Sequence, residues 1–118
     1  MAISRGEFGE NLAAEFLERH GYSIEGKRLT LGHLEIDLVA KIGGLTVLVE
    51  VKTRFNMSLG PAQDHLSHQK ITRLKRGLAA FSKQHRIQAI KLRLDFIAID
   101  IDSTTKLANI KHFTDILG

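Results

Sequence analysis

Leu45-Thr46-Val47-Leu48-Val49-Glu50-Val51-Lys52-Thr53-Arg54, preceded by Leu34-Glu35-Ile36-Asp37-Leu38-Val39-Ala40, decides how this chain is read. The later run is rich in β-branched residues and reads as a strand. The earlier run begins with alternation and then turns wholly apolar, as a strand covered on both faces does. Gly43-Gly44 lies between them and can close a two-residue hairpin. Residues two apart on a strand point the same way, so Glu50 and Lys52 share one face while Val49 and Val51 share the other. The hairpin would carry Asp37 close to Glu50. Two acids and an ammonium then meet at the end of apolar strands, where charge is costly unless it has a partner or a task.

Working outward, the spacing predicts an amphipathic helix over Glu7 to His20. Phe8, Leu12, Ala13, Phe16 and Leu17 form its apolar face, and Gly21 is a stop. Tyr22 to Leu29 is a weaker strand, with a turn at Thr30-Leu31-Gly32. Phe55 to Gln63, with the only proline at Pro61, reads as a loop. A second helix is expected from His65 or Leu66 to about Gln84, with Ile71, Leu74, Leu78 and Phe81 as its buried stripe. Leu92 to Ile101 is a strand with a doubly covered centre. Ser103 to Lys106 is a turn, and Leu107 to Phe113 a last short strand. Helix, three strands, helix and two strands imply an α/β domain, a mixed sheet flanked by helices, spanning residues 1–118 as one unit.

The 118 residues support a single core without staples. With no cysteine there is no disulfide, thiolate zinc site or cysteine nucleophile. No run approaches the roughly 18 apolar residues of a membrane span, and Met1 to Gly6 lacks a signal-peptide core. A cytoplasmic protein is the expectation. The net charge of +4 is unevenly spread: His65 to Leu94 holds eight Lys or Arg and no acid. Such a segment suits a polyanion such as nucleic acid, or is simply a solvated basic helix face.

Asp37 and Glu50 are the oxygen donors that a hard divalent cation, Mg²⁺ or Mn²⁺, prefers, and the Val51 carbonyl could add a third. Such an ion activates water and polarises a phosphodiester. Lys52 would stabilise the charge that develops on the phosphate. Glu10, at the border of the first helix's apolar face, is the candidate fourth member. Glu35 could be a ligand, a supporting acid or merely exposed. Arg54, Lys70, Arg73 and Arg76 are candidate phosphate contacts. His65-x-x-His68 lacks an apparent third ligand and reads as a solvated helix start. Arg93 and Asp95 share a strand face and can pair with each other.

Gly6-Glu7-Phe8-Gly9-Glu10-Asn11-Leu12-Ala13-Ala14, Leu34-Glu35-Ile36-Asp37-Leu38, Val49-Glu50-Val51-Lys52-Thr53-Arg54 and Arg93-Leu94-Asp95-Phe96 resemble the YraN-like family of small bacterial proteins. That family is described as endonuclease-like and related to archaeal Holliday-junction resolvases of the PD-(D/E)XK superfamily. The resemblance runs from about Gly6 to Phe113. It implies a restriction-endonuclease-like αβββαβ core, with Glu10 matching the first-helix glutamate, Asp37 the first strand acid, and Glu50 and Lys52 the E-x-K pair. It further implies a Mg²⁺-dependent DNA endonuclease acting on branched DNA and is compatible with a homodimer. The competing readings are a catalytically silent nucleic-acid-binding or adaptor domain on the same scaffold, and an interaction protein whose acids form ion pairs.

Overall fold

The computed structural model describes residues 3–56 and 60–118; the middle of the loop expected over Phe55 to Gln63, and the first two residues, lie outside the described residues. Helix α1 covers Arg5–Arg19 and starts at Ser4, whose hydroxyl accepts the Glu7 N–H. Three strands follow, β1 (Ser23–Leu31), β2 (Leu34–Ile42) and β3 (Leu45–Phe55). Helix α2 covers His68–His85, capped by Ser67, and strands β4 (Leu92–Asp102) and β5 (Leu107–Phe113) complete the chain. The sheet order is β1-β2-β3-β4-β5, antiparallel except for the parallel pair β3 and β4. This is the expected restriction-endonuclease-like αβββαβ core, and α2 is the crossover that parallel strands require.

Each helix covers one face of the sheet. On the α1 side, Ala13, Ala14 and Leu17 pack with Leu38, Ala40, Val47, Val49, Ile97 and Ile99. On the α2 side, Leu74 and Phe81 pack with Ile36, Val39, Leu48, Leu92 and Leu94. Strands β3 and β4 are apolar on both faces because both faces are covered. A short 3₁₀ segment, Ala62–His65, closes over Phe96 and Ala98, and its first N–H is held by the buried Asp100 carboxylate at 2.8 Å.

Several local expectations shift. The turn expected at Thr30-Leu31-Gly32 sits at Gly32-His33, because Thr30 and Leu31 continue β1 and Leu31 packs inward. Phe8, expected in the core, is 40% exposed and lies against Phe55 at the rim. The pairing of Arg93 with Asp95 is present and reaches further. Asp95 is fully buried and accepts two bonds from Arg93, one from His112 and one from the Asp115 N–H, all at 2.7–2.9 Å. Arg93 also bonds the Tyr22 hydroxyl, so this carboxylate ties β4 to β5 and to the C-terminal segment and, through Arg93, to the connection between α1 and β1.

Two helical glycines set how closely the helices approach. A Cβ at Gly9 would overlap Thr53 Oγ1 and come within 2.9 Å of Thr53 Cβ. A Cβ at Gly77 would overlap Leu34 Cδ2, the far end of a flexible side chain. Alanine in a helix interior ordinarily stabilises relative to glycine by roughly 0.5–1 kcal/mol. Here Gly9→Ala is expected to destabilise by about 1–3 kcal/mol, because the Thr53 Cβ cannot move without its strand. Gly77→Ala should cost less, since Leu34 can rotate. Urea denaturation of the two variants checks the order; a Gly9→Ala protein as stable as the parent would show that α1 can lift off β3 freely.

Candidate active site

The carboxylate pair arises where β2 leaves β3. Backbone pairing between them runs from Ile42↔Leu45 to Leu38↔Val49 and stops there. The Val51 N–H would be the next donor, and the Asp37 Oδ2 accepts it at 2.7 Å. Alternation along β2 breaks at this point: Ile36 packs on the α2 side and Leu38 on the α1 side. Glu35, which simple alternation would place with Asp37, is exposed and does not line the cavity.

Asp37 and Glu50 open into one cavity of about 320 Å³, bordered also by Val51, Lys52, His65, Lys70 and Arg73. The α2 crossover supplies the last two cations. Lys70 approaches Glu50 Oε1 at 3.5 Å. The other oxygen of Glu50, Oε2, is buried and receives no donor when the group is ionised; only the protonated carboxyl can bond the neighbouring Asp37 carboxylate. Burial pushes the Glu50 carboxyl up to about 8, and the adjacent Asp37 carboxylate adds to the rise; the Lys70 ammonium opposes it without compensating.

Glu10 is buried but lines an adjoining cavity of about 430 Å³ with Arg5, Gly6, Lys52 and Arg54. Val51 and Lys52 border both cavities. Glu10 Oε1 is held at 2.9 Å by Arg28, which also lies 3.8 Å from Glu7. Arg54 Nη2 lies 2.9 Å from His65 Nδ1. Arg76 stands apart from both carboxylates, with Gln69, Thr72 and Arg73 along the exposed side of α2. Sequence reasoning missed Arg28 as the partner of Glu10. Its signal was weak: a left-handed φ of 52° at a strand position, which no spacing reveals.

An acceptor that is buried without a partner, beside a second carboxylate, is what an oxygen-seeking divalent cation would satisfy. Among the described residues no group of three or more His, Cys, Asp or Glu is gathered for a metal. Two carboxylates would suit only an ion that keeps water and substrate oxygens, as Mg²⁺ does, and not one needing a closed protein cage.

The strand order, the helix on each face and the acids on the central hairpin define an α/β protein with a nuclease-like core. The chain belongs to the uncharacterised protein family UPF0102, whose model matches residues 9–99, so the YraN-like resemblance holds. It is 36% identical over 110 residues to a UPF0102 protein of Flavobacterium psychrophilum, covering 93% of this chain and 90% of that one. It is 35% identical over 104 residues to one of Dehalococcoides mccartyi, covering 86% of each. A relative in Leifsonia xyli is 36% identical over 94 residues, 80% of each chain.

The Glu50 environment has a measurable sign. Its carboxyl rises from 4.5 to about 8 on folding, so unfolding releases a proton between those values. The group's favourable contribution is complete below about 4.5 and is lost as pH rises through about 8. Glu50→Gln removes this dependence. In the cation-free protein its Tm should exceed the parent's by at least about 3 °C near pH 8.5, and the gap should close near pH 4.5. Thermal unfolding at the two pH values, with chelator present, measures it; a constant gap would place Glu50 in a well-solvated setting.

Proposed function

We propose that this protein is a metal-dependent DNA endonuclease that hydrolyses phosphodiester bonds, in branched DNA by family resemblance, and that it works in the cytoplasm. The observation that carries the reading is the unpartnered, buried Glu50 oxygen beside Asp37, in one cavity with Lys52 and Lys70. Among the described residues no helix is long and apolar enough to cross a membrane.

Asp37, Glu50 and the Val51 carbonyl would hold Mg²⁺ or Mn²⁺. When bound, the ion lowers the pKa of a coordinated water and polarises a phosphoryl oxygen. The chain's own residues supply the rest. Asp37 is oriented by the Val51 N–H, so its carboxylate does not need to be reorganised. Glu50 must give up its proton to act as a ligand, which makes ion binding tighter at higher pH. Lys52 stands between the two cavities and places a fixed positive charge beside the reacting phosphate. Lys70 offsets the acids before substrate arrives and is free to turn to phosphate once a cation replaces it. Glu10, held by Arg28, borders the site from α1. Arg73 and Arg76 extend the positive surface along the exposed side of α2, where backbone contacts would position DNA without reading sequence. A homodimer would allow two strands of a branch to be cut.

A second reading, a catalytically silent nucleic-acid-binding domain, draws on the small carboxylate set among the described residues. Cleavage of labelled duplex, nicked, flap and four-way DNA with Mg²⁺ or Mn²⁺ separates them. The parent should cut at least one substrate. Lys52→Ala should lose about 10²–10³ in rate while keeping its cation titration, and Asp37→Ala should lose both activity and cation affinity. A parent that binds but cuts nothing across the panel puts the binding module first. A Lys52→Ala protein cutting at the parental rate removes Lys52 from the chemistry.

The same protein should bind DNA without a divalent cation and with steep salt dependence. Each duplex phosphate contact contributes about −0.9 to the slope of log K against log salt. Arg73→Glu and Arg76→Glu should weaken binding to unrelated sequences alike and flatten the slope. Unchanged slopes would take α2 off the DNA-facing surface.

A further inference from the structure

Two side-chain atoms among the described residues are buried without a hydrogen-bond partner, Glu50 Oε2 and Arg54 Nε. Their residues lie four apart on β3 and border adjoining cavities, and the Arg54 guanidinium also meets His65 through Nη2 at 2.9 Å, which leaves Nε as its unsatisfied donor. The first, once Glu50 is ionised, is an acceptor and calls for a cation. The other is a donor, and a guanidinium N–H without an acceptor calls for an anion.

The surroundings of Arg54 agree. Its cavity also holds Arg5 and Lys52, three cations in all, against one acid, Glu10. Glu10 is already paired with Arg28 at 2.9 Å. The first residues of α1, Arg5 and Gly6, form one wall, so the positive end of a fifteen-residue helix faces the same space. Arg5 is exposed, with its guanidinium 4.7 Å from the Phe55 ring centroid, which gives it a resting place from which it can reach an anion. The close approach of Gly9 to Thr53 fixes α1 to β3 here and sets the width of the cavity.

We infer that this cavity is a phosphate subsite, formed by Arg5, Arg54 and Lys52, which grips the phosphate next to the one lying over Asp37 and Glu50. The inference rests on the nucleic-acid reading of the carboxylate cavity. Lys52 borders both spaces, so a strand passing over it presents one phosphate to each. The chemistry recognised is a phosphate oxyanion, in-chain diester or terminal monoester. Bidentate guanidinium contacts suit both.

The test needs neither a divalent cation nor cleavage. Arginine Nε–Hε resonances of the cation-free protein are followed by NMR during titration with inorganic phosphate, against sodium chloride at equal ionic strength. Arg5 and Arg54 signals should shift with phosphate and not with chloride. A twelve-nucleotide single strand, with and without a 5′-phosphate, is then titrated by anisotropy. Arg5→Gln, a change at an exposed position, should weaken binding several-fold and reduce the salt slope by about 0.7, one single-strand phosphate contact. Arg5→Lys should recover the slope. Equal sensitivity of both strands assigns the subsite to in-chain diesters, and sensitivity confined to the phosphorylated strand assigns it to a terminal monoester. Absence of phosphate-specific shifts, or a parental slope in Arg5→Gln with both strands, overturns the subsite. A protein that shows the shifts but never cuts DNA keeps the subsite and loses the nuclease reading; one that cuts without them loses only the subsite.

Discussion

The Asp37 carboxylate takes the Val51 N–H at 2.7 Å where β2 and β3 cease to exchange backbone bonds. A backbone donor at the centre of a covered sheet needs an acceptor. Using a side chain for that purpose lets the strands part without leaving the N–H orphaned. It also anchors an acid beside Glu50, on a rigid element rather than a loop. The cavity, the raised Glu50 carboxyl and the approach of Lys70 all follow from that parting of two strands. Asp95 shows the contrast. It is as deeply buried as any residue in the sheet, and burial alone would raise its carboxyl, but His112, Arg93 and the Asp115 N–H outweigh that and hold it below the usual range. A buried acid with four donors is a structural tie. Glu50, with one ammonium and an acidic neighbour, is not compensated in this way, and its carboxyl rises instead.

The two helices reach the site by different routes. The N-terminal half of α1 descends on β3 because Gly9 has no side chain, which brings Arg5 and Glu10 alongside Lys52 and Arg54. The first turns of α2 arrive from the opposite face and deliver Lys70 and Arg73. The two cavities are thus bordered by cations from both layers, and the lining changes sign once along β3: Glu50 is acidic, and Lys52 and Arg54 are both basic.

The strands at 34–40 and 45–54, the Gly43-Gly44 turn, both helices and the β4 strand could be read from the sequence, because each follows from local periodicity. So could the meeting of Asp37 with Glu50, since a two-residue turn fixes the register. What could not be read depends on contacts between distant segments. The break in alternation at Asp37 reflects competition between a side chain and a strand for one N–H. The capture of Glu10 by Arg28 joins α1 to β1, and Phe8 is left at the rim because the helix presents Gly9, not Phe8, to the sheet. Lys70 was legible as a basic residue at a helix start, but its place over Glu50 depends on the path of the crossover. The ties of Asp95 to His112 and Asp115 involve positions 17 and 20 residues away.

The parallel pairing of β3 with β4 has a kinetic side. Every partner in that ladder lies 46 positions away, from Thr46 with Leu92 to Phe55 with Ile101, whereas Asp37 and Glu50 are joined by a tight hairpin. Loop-closure entropy falls on the long connection and hardly at all on the short one. A nascent chain can therefore bring its two acids together well before α2 has crossed over and β4 has docked. Until then the pair is open to water, without its low-dielectric wall and without Lys70. The raised Glu50 carboxyl is thus a property of the finished sheet, and the acids acquire their unusual character only as the last long-range strand closes.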